Sequence, residues 1–62
     1  MSIDRTVLAK LEQVKTIHIS VLKNATNTTK EEISWSLAIL EEKGFCRVDD
    51  ETGIVKYIGG PG

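Results

Sequence analysis

The chain has very little of several residue types that build catalytic and metal sites. Its 62 residues include one histidine, one cysteine and one proline. His18 and Cys46 are far apart in the chain, and no paired metal ligands or glycine-rich phosphate loop accompany them. A chain of this length also has little room for a substrate pocket. We therefore expect no enzymatic activity, no metal and no cofactor.

Other absences bear on where the protein acts. A single cysteine excludes a disulfide within the chain, which suits a reducing compartment. No stretch is long enough to cross a bilayer, and no export signal is visible. These features predict a cytoplasmic protein. The net charge of −1 and the pI of about 5.7 give no overall positive field toward nucleic acid or anionic membranes.

The apolar residues, 40% of the chain, are enough for one small domain. We expect the domain over residues 1–58 and a flexible glycine-rich tail over 59–62. Cys46 is expected to be a small buried hydrophobe. His18 is expected to be an ordinary, partly buried strand residue. The acidic stretch at residues 49–51 is expected to be a solvated turn, since it lacks the spacing and length of a calcium loop.

The first half of the chain predicts two helices and a short strand. A stripe at helical spacing predicts the first helix over Ile3–Val14, with Ser2 as its N-cap. The β-branched stretch Thr16–His18 indicates a brief strand. A short second helix is expected over Ser20–Ala25, with Val21 and Leu22 facing inward. The polar residues 26–28 then form a turn, because Asn27 tolerates left-handed backbone.

A third helix and a hairpin complete the chain. Thr29 and Glu32 have the spacing of a capping box, and Thr28 and Glu31 offer the same spacing one residue earlier. Gly44 is expected to end the helix just after Lys43. Three residues form its inward stripe: Ile33, Leu37 and Leu40. From residue 45 the period changes to two, which predicts a β-hairpin. A tip at Glu51 and Thr52 gives three cross-strand pairs: Cys46 with Tyr57, Arg47 with Lys56, and Val48 with Val55.

The stretch "ISVLKNATNTTKEEISWSLAILEEKGFCRV" and the order of elements resemble the winged helix-turn-helix family. The matching positions are the start of helix two, the cap and inward stripe of helix three, and the segment that ends it: Ile19, Ser20, Leu22, Thr29, Ile33, Leu37, Leu40 and residues 41–44. The resemblance covers nearly the whole chain. It implies an α+β fold with three helices, a short strand between helices one and two, and a C-terminal hairpin as the wing.

The resemblance also implies a function. Winged helices commonly place helix three in the major groove of DNA, and two copies reach successive grooves. This chain is therefore expected to be a small DNA-binding transcriptional regulator acting as a dimer. The candidate DNA contacts are Lys23, Lys30, Ser34, Trp35, Ser36, Arg47 and Lys56. Acidic residues oppose this reading, because residues 29–43 carry two lysines and four glutamates, and three more acids occupy the hairpin tip.

Two alternatives remain for the outward side of helix three. In the first, Trp35 and Ile39 form the apolar centre of a protein interface or dimer contact, with Glu31 and Glu42 as its polar rim. The fold then serves as an interaction module with little affinity for DNA. In the second, Trp35 folds back over the wing and closes a thin core.

Overall fold

A computed structural model describes the backbone of residues 3–60 and the side chains of residues 5–60. The fold is α+β, with three helices, a strand between the first two and a hairpin after the third, as predicted. In chain order the elements are α1 (Ile3–Val14), β1 (Thr16–His18), α2 (Ile19–Ala25), α3 (Lys30–Glu42), β2 (Cys46–Asp49) and β3 (Ile54–Tyr57). The strands form one antiparallel sheet in the order β1-β3-β2. This arrangement is consistent with the winged-helix layout.

One face of the sheet and the helices share a single core. Its fully buried apolar residues are Val7, Leu11, Leu22, Ile33, Leu37, Leu40, Cys46 and Val55. The predicted inward stripe of α3 is confirmed. The prediction for α2 is half wrong, since Val21 is 53% exposed and Leu22 alone of the pair is buried. In a helix of two turns only one narrow side reaches the core, and Val21 lies about 100° around the helix from Leu22.

The ends of α3 follow the predicted local chemistry. The Thr29 hydroxyl accepts a hydrogen bond from the Glu32 amide at 3.1 Å, and the Glu32 carboxylate accepts one from the Thr29 amide at 2.8 Å. The capping box therefore belongs to Thr29 and not to Thr28. Lys43 is the C-cap, and Gly44 ends the helix in left-handed backbone with φ of 86°. The turn before α3 also uses left-handed backbone, at Asn27 with φ of 54°.

The hairpin has the predicted register. Cys46 pairs with Tyr57, Arg47 with Lys56, and Val48 with Val55. β1 adds to the other edge of β3, where Thr16 is opposite Lys56. The side chains of alternate residues point to opposite faces, so the sheet has an inner face on the core and an outer face that carries Arg47 and Lys56.

The proposed Ser2 cap of α1 and the last two residues of the proposed tail lie outside the described residues. Gly60 is described, and the Phe45 ring lies against it so closely that an added Cβ would be 2.6 Å from that ring. Within residues 3–60, no helix has the length and apolar character needed to cross a membrane.

Candidate nucleic-acid interface

A groove of about 330 Å³ runs between α2 and the N-terminal half of α3. Its lining residues are Ile19, Ser20, Lys23, Asn24, Lys30, Ile33 and Ser34. We call it the α2–α3 groove. It combines an apolar floor with two lysines, two hydroxyls and one amide, and no carboxylate of residues 5–60 lines it. This is a donor-rich surface of the kind that contacts phosphate oxygens.

The next groove along the same face of α3 is chemically different. A second groove, of about 190 Å³, lies between α3 and the hairpin. It is lined by Ile19, Ser34, Leu37, Ala38, Glu41, Val48 and Asp50. We call it the α3–wing groove. Its charged residues are both acidic, so it repels a phosphate backbone. The two grooves share Ile19 and Ser34, so this face of α3 is basic toward the N-terminus of the helix and acidic toward its C-terminus.

The four glutamates of α3 divide into two pairs. The Glu32 carboxylate is held in the capping box, and Glu41 Oε2 accepts a hydrogen bond from the Val48 amide at 3.1 Å. These two carboxylates therefore hold the backbone of the N-terminus of α3 and of β2 in place. Glu31 and Glu42 are exposed and make no ion pair with a described residue. Two of the four carboxylates of α3 thus have a backbone partner, and the other two face solvent.

Trp35 lies on the outside of the molecule, as both the DNA-binding reading and the interface alternative expected. Its side chain is 60% exposed. The alternative in which Trp35 folds back to close the core is wrong, because an indole that closed a core would lose most of its contact with water. Ile39, one turn further along the same side, is half-buried. Neither residue lines either groove.

Ser36 does not belong with the candidate DNA contacts. Its side chain is 0% exposed, and its hydroxyl has no hydrogen-bond partner among the described residues. A group with no contact with solvent cannot reach a phosphate or a base edge. The candidate contact at Ser36 is therefore wrong. Ser36 lies beside the inward stripe of α3 and is one of the four buried residues of that helix.

The remaining candidates fall into two separate groups. Lys23, Lys30 and Ser34 come together in the α2–α3 groove. Arg47 and Lys56 are exposed and directly opposite each other on the outer face of the sheet, and they line neither groove. Like charges in a cross-strand pair destabilise a sheet unless something neutralises them. Ser20 and Asn24 line the α2–α3 groove as well, although the sequence did not single them out as contacts.

His18 has a role that the sequence did not predict. It is exposed, not partly buried, and it is the N-cap of α2. Its Nδ1 accepts a hydrogen bond from the Ser20 amide at 3.1 Å and lies 2.8 Å from the Ser20 hydroxyl. The sequence offered one signal for this capping role, which is the position of His18 just before α2. Histidine is not among the preferred N-cap residues, so the signal was weak.

Cys46 is the buried residue that was predicted. Its side chain is 1% exposed. Burial, and to a lesser extent the nearby charge of Glu41, raises the pKa of the Cys46 thiol to about 11. The thiol is therefore protonated at neutral pH and is a poor nucleophile. Within the described chain, no group of histidine, cysteine and acidic side chains is arranged to hold a metal ion.

Comparison with family models, curated proteins and solved structures gives no match for this chain. The assignment of a function therefore depends on the surfaces described above.

Proposed function

We propose that this protein binds duplex DNA through the α2–α3 groove, as a small cytoplasmic regulator of transcription. The observation that carries the proposal is the composition of that groove. Lys23 and Lys30 flank it, and none of the described carboxylates lines it, although the protein as a whole is acidic. Phosphate contact supplies much of the affinity of proteins for DNA, and this groove is where such contact is least opposed.

The arrangement favours one orientation on DNA. The acidic α3–wing groove and the exposed acids of the hairpin turn repel phosphate, so the sugar–phosphate backbone runs along α2 and not along the wing. Lys30 and Lys23 then contact phosphates, and Ser34 donates a hydrogen bond to phosphate or a base edge. Two lysines give weak affinity to a single copy. Several copies on one DNA segment, as in the expected dimer, multiply these contacts.

The test is a titration of fluorescently labelled random-sequence duplex, followed by anisotropy at low and moderate salt. We expect wild-type protein to bind and the double variant Lys23→Gln, Lys30→Gln to bind much more weakly on every sequence. The matched control is Lys10→Gln, Lys43→Gln, which removes the same charge from residues outside the groove. Absence of wild-type binding at low salt contradicts the proposal, and so does equal weakening by both double variants.

A second function, a protein-interaction module, is favoured by one observation. Trp35 is 60% exposed and lies between Glu31 and Glu42 along α3. An exposed tryptophan with a polar rim has the composition of an interface centre. The two functions differ in their response to substitution. DNA binding is lost with the groove lysines and is steeply salt-dependent, whereas protein binding is lost in Trp35→Ala and depends less on salt.

A further inference from the structure

Two exposed surfaces of the molecule carry apolar groups beside charge of one sign. The first, which we call the Trp35 surface, consists of Glu31, Trp35, Ile39 and Glu42 on α3. Trp35 is 60% exposed, Ile39 is half-buried, and both glutamates are exposed. Neither glutamate forms an ion pair with a described residue. The surface is therefore an apolar centre with unneutralised negative charge at both ends.

The second surface is the outer sheet face, which we define by Thr16, Arg47, Lys56 and Ile58. Register places Thr16, Lys56 and Arg47 side by side across the three strands. All three are exposed, and Ile58, which follows Lys56 on the same face, is 49% exposed. The Arg47–Lys56 pair has no acidic partner among the described residues. This face thus combines an exposed isoleucine with two adjacent positive charges.

The spacings of the two surfaces match. In a helix, four residues span about 6 Å, which is the distance along the axis from Glu31 to Trp35. In a strand, two residues span about 7 Å, which is the distance from Lys56 to Ile58. A helix laid on the sheet therefore places Trp35 on Ile58 while the Glu31 carboxylate lies between Arg47 and Lys56. That carboxylate neutralises a cross-strand pair that is unfavourable by itself.

We propose that the Trp35 surface of one copy binds the outer sheet face of a second copy, head to tail. A symmetric contact between two Trp35 surfaces is disfavoured, because it brings the glutamates of both copies together. A head-to-tail contact leaves one unused surface at each end, so it continues into a closed ring or an open filament. No residue of either surface lines the α2–α3 groove, so the contact does not depend on DNA binding.

The test uses two charge-reversal variants of the full chain. The first is Glu31→Lys, Glu42→Lys, and the second is Arg47→Glu, Lys56→Glu. Sedimentation velocity at low salt and without DNA measures the mass over a range of concentrations. Wild-type protein is expected to associate, and each variant alone is expected to be monomeric. An equimolar mixture of the two variants is expected to associate again, because each reversed surface then meets a surface of opposite charge.

Controls separate this contact from general effects of charge and folding. Glu12→Lys, on the exposed side of α1, changes charge at a site outside both surfaces and is expected to associate like wild type. Trp35→Ala is expected to weaken association by about tenfold or more, since interface tryptophans are frequent hot spots. Circular dichroism establishes that each variant is folded.

Three results would overturn the proposal. One is a wild-type protein that stays monomeric at every concentration. Another is association that survives reversal of the outer sheet face, which is the outcome expected from a symmetric Trp35 contact. The third is a mixture of the two variants that remains monomeric. The DNA titration uses different variants and a different measurement. Either proposal can therefore be contradicted while the other stands.

Discussion

The imidazole of His18 lies directly against Gly53 in the hairpin turn. A Cβ added to Gly53 would be 2.6 Å from His18 Nε2, a separation that real Cβ contacts do not show. The Ile19 amide also donates a hydrogen bond to the Gly53 carbonyl at 2.8 Å. The start of α2 and the turn of the wing are therefore one packed unit, so the angle between helix and hairpin is set by residues outside the main core.

This contact predicts that Gly53→Ala is destabilising. Gly53 has φ of 76°, so alanine there carries a backbone cost of about 1–2 kcal/mol in addition to the clash with His18. Gly59→Ala is the matched control, because Gly59 has φ of 95° and no atom of the described residues lies within 4 Å of its added Cβ. Urea unfolding of both variants separates the two costs. Equal losses of stability would mean that the His18 contact contributes nothing.

The capping box predicts unequal effects of two adjacent threonines. Thr29→Ala removes the hydroxyl that accepts from the Glu32 amide, and we expect a loss of about 0.5–2 kcal/mol in the free energy of unfolding. Thr28→Ala is the control, since its hydroxyl makes only a long hydrogen bond of 3.4 Å to the Lys23 carbonyl and one to Thr26. Thr29→Ser should retain most of the stability. A larger loss of stability in Thr28→Ala than in Thr29→Ala would mean that Thr28, and not Thr29, is the N-cap.

Ser36→Ala is expected to stabilise the protein. The buried hydroxyl has no partner among the described residues, and an unsatisfied buried polar group costs about 1–3 kcal/mol. Alanine keeps nearly the same volume and also favours the helix. Ser34→Ala, at an exposed site on the same helix, measures the helix-propensity part alone. The expectation is contradicted if thermal unfolding shows Ser36→Ala to be less stable than wild type.

The raised pKa of Cys46 predicts a loss of stability at alkaline pH. The ordinary thiol value is 9.0 and the folded value is about 11, so the unfolded chain releases its proton first. The thiol's contribution is fully present below pH 9 and is lost as the pH rises toward 11. Urea unfolding of wild type and Cys46→Ala across this range measures the effect. The difference between their unfolding free energies should shrink with pH, and a constant difference would contradict the assigned shift.

Glu41→Gln provides a control for the cause of that shift. The amide oxygen can still accept a hydrogen bond from the Val48 amide, but the charge that adds to the effect of burial is gone. We expect the pKa of the folded thiol to be slightly lower, so that the alkaline loss of stability still begins near pH 9 but ends at a lower pH and is smaller. Since burial is the larger cause, most of the pH dependence should remain.

The sequence predicted features that depend on neighbours along the chain. The Thr29 cap, the left-handed Asn27 and the inward stripe of α3 follow from local hydrogen bonding and helical periodicity. The hairpin register followed from alternation about a central turn, and the pairing of Val48 with Val55 confirms it.

Features set by packing between distant elements were not predicted. Ser36 looked like a surface residue because it lies at the margin of the inward stripe, and its burial depends on how the rest of the fold packs against that margin of α3. His18 became a cap because α2 begins at Ile19, one residue earlier than expected. The acidic α3–wing groove exists because the hairpin lies against α3, where Glu41 accepts a hydrogen bond from the Val48 amide and Asp50 lines the same groove.

The salt dependence of DNA binding tests the central claim most directly. The logarithm of the binding constant should fall linearly with the logarithm of salt concentration, with a slope of about −0.9 for each phosphate contacted. Replacing Lys23 and Lys30 by glutamine should make the slope less negative by about 2, while the Lys10 and Lys43 replacements leave it unchanged. A wild-type protein that does not bind at low salt, or a slope that is the same without the groove lysines, would contradict the account.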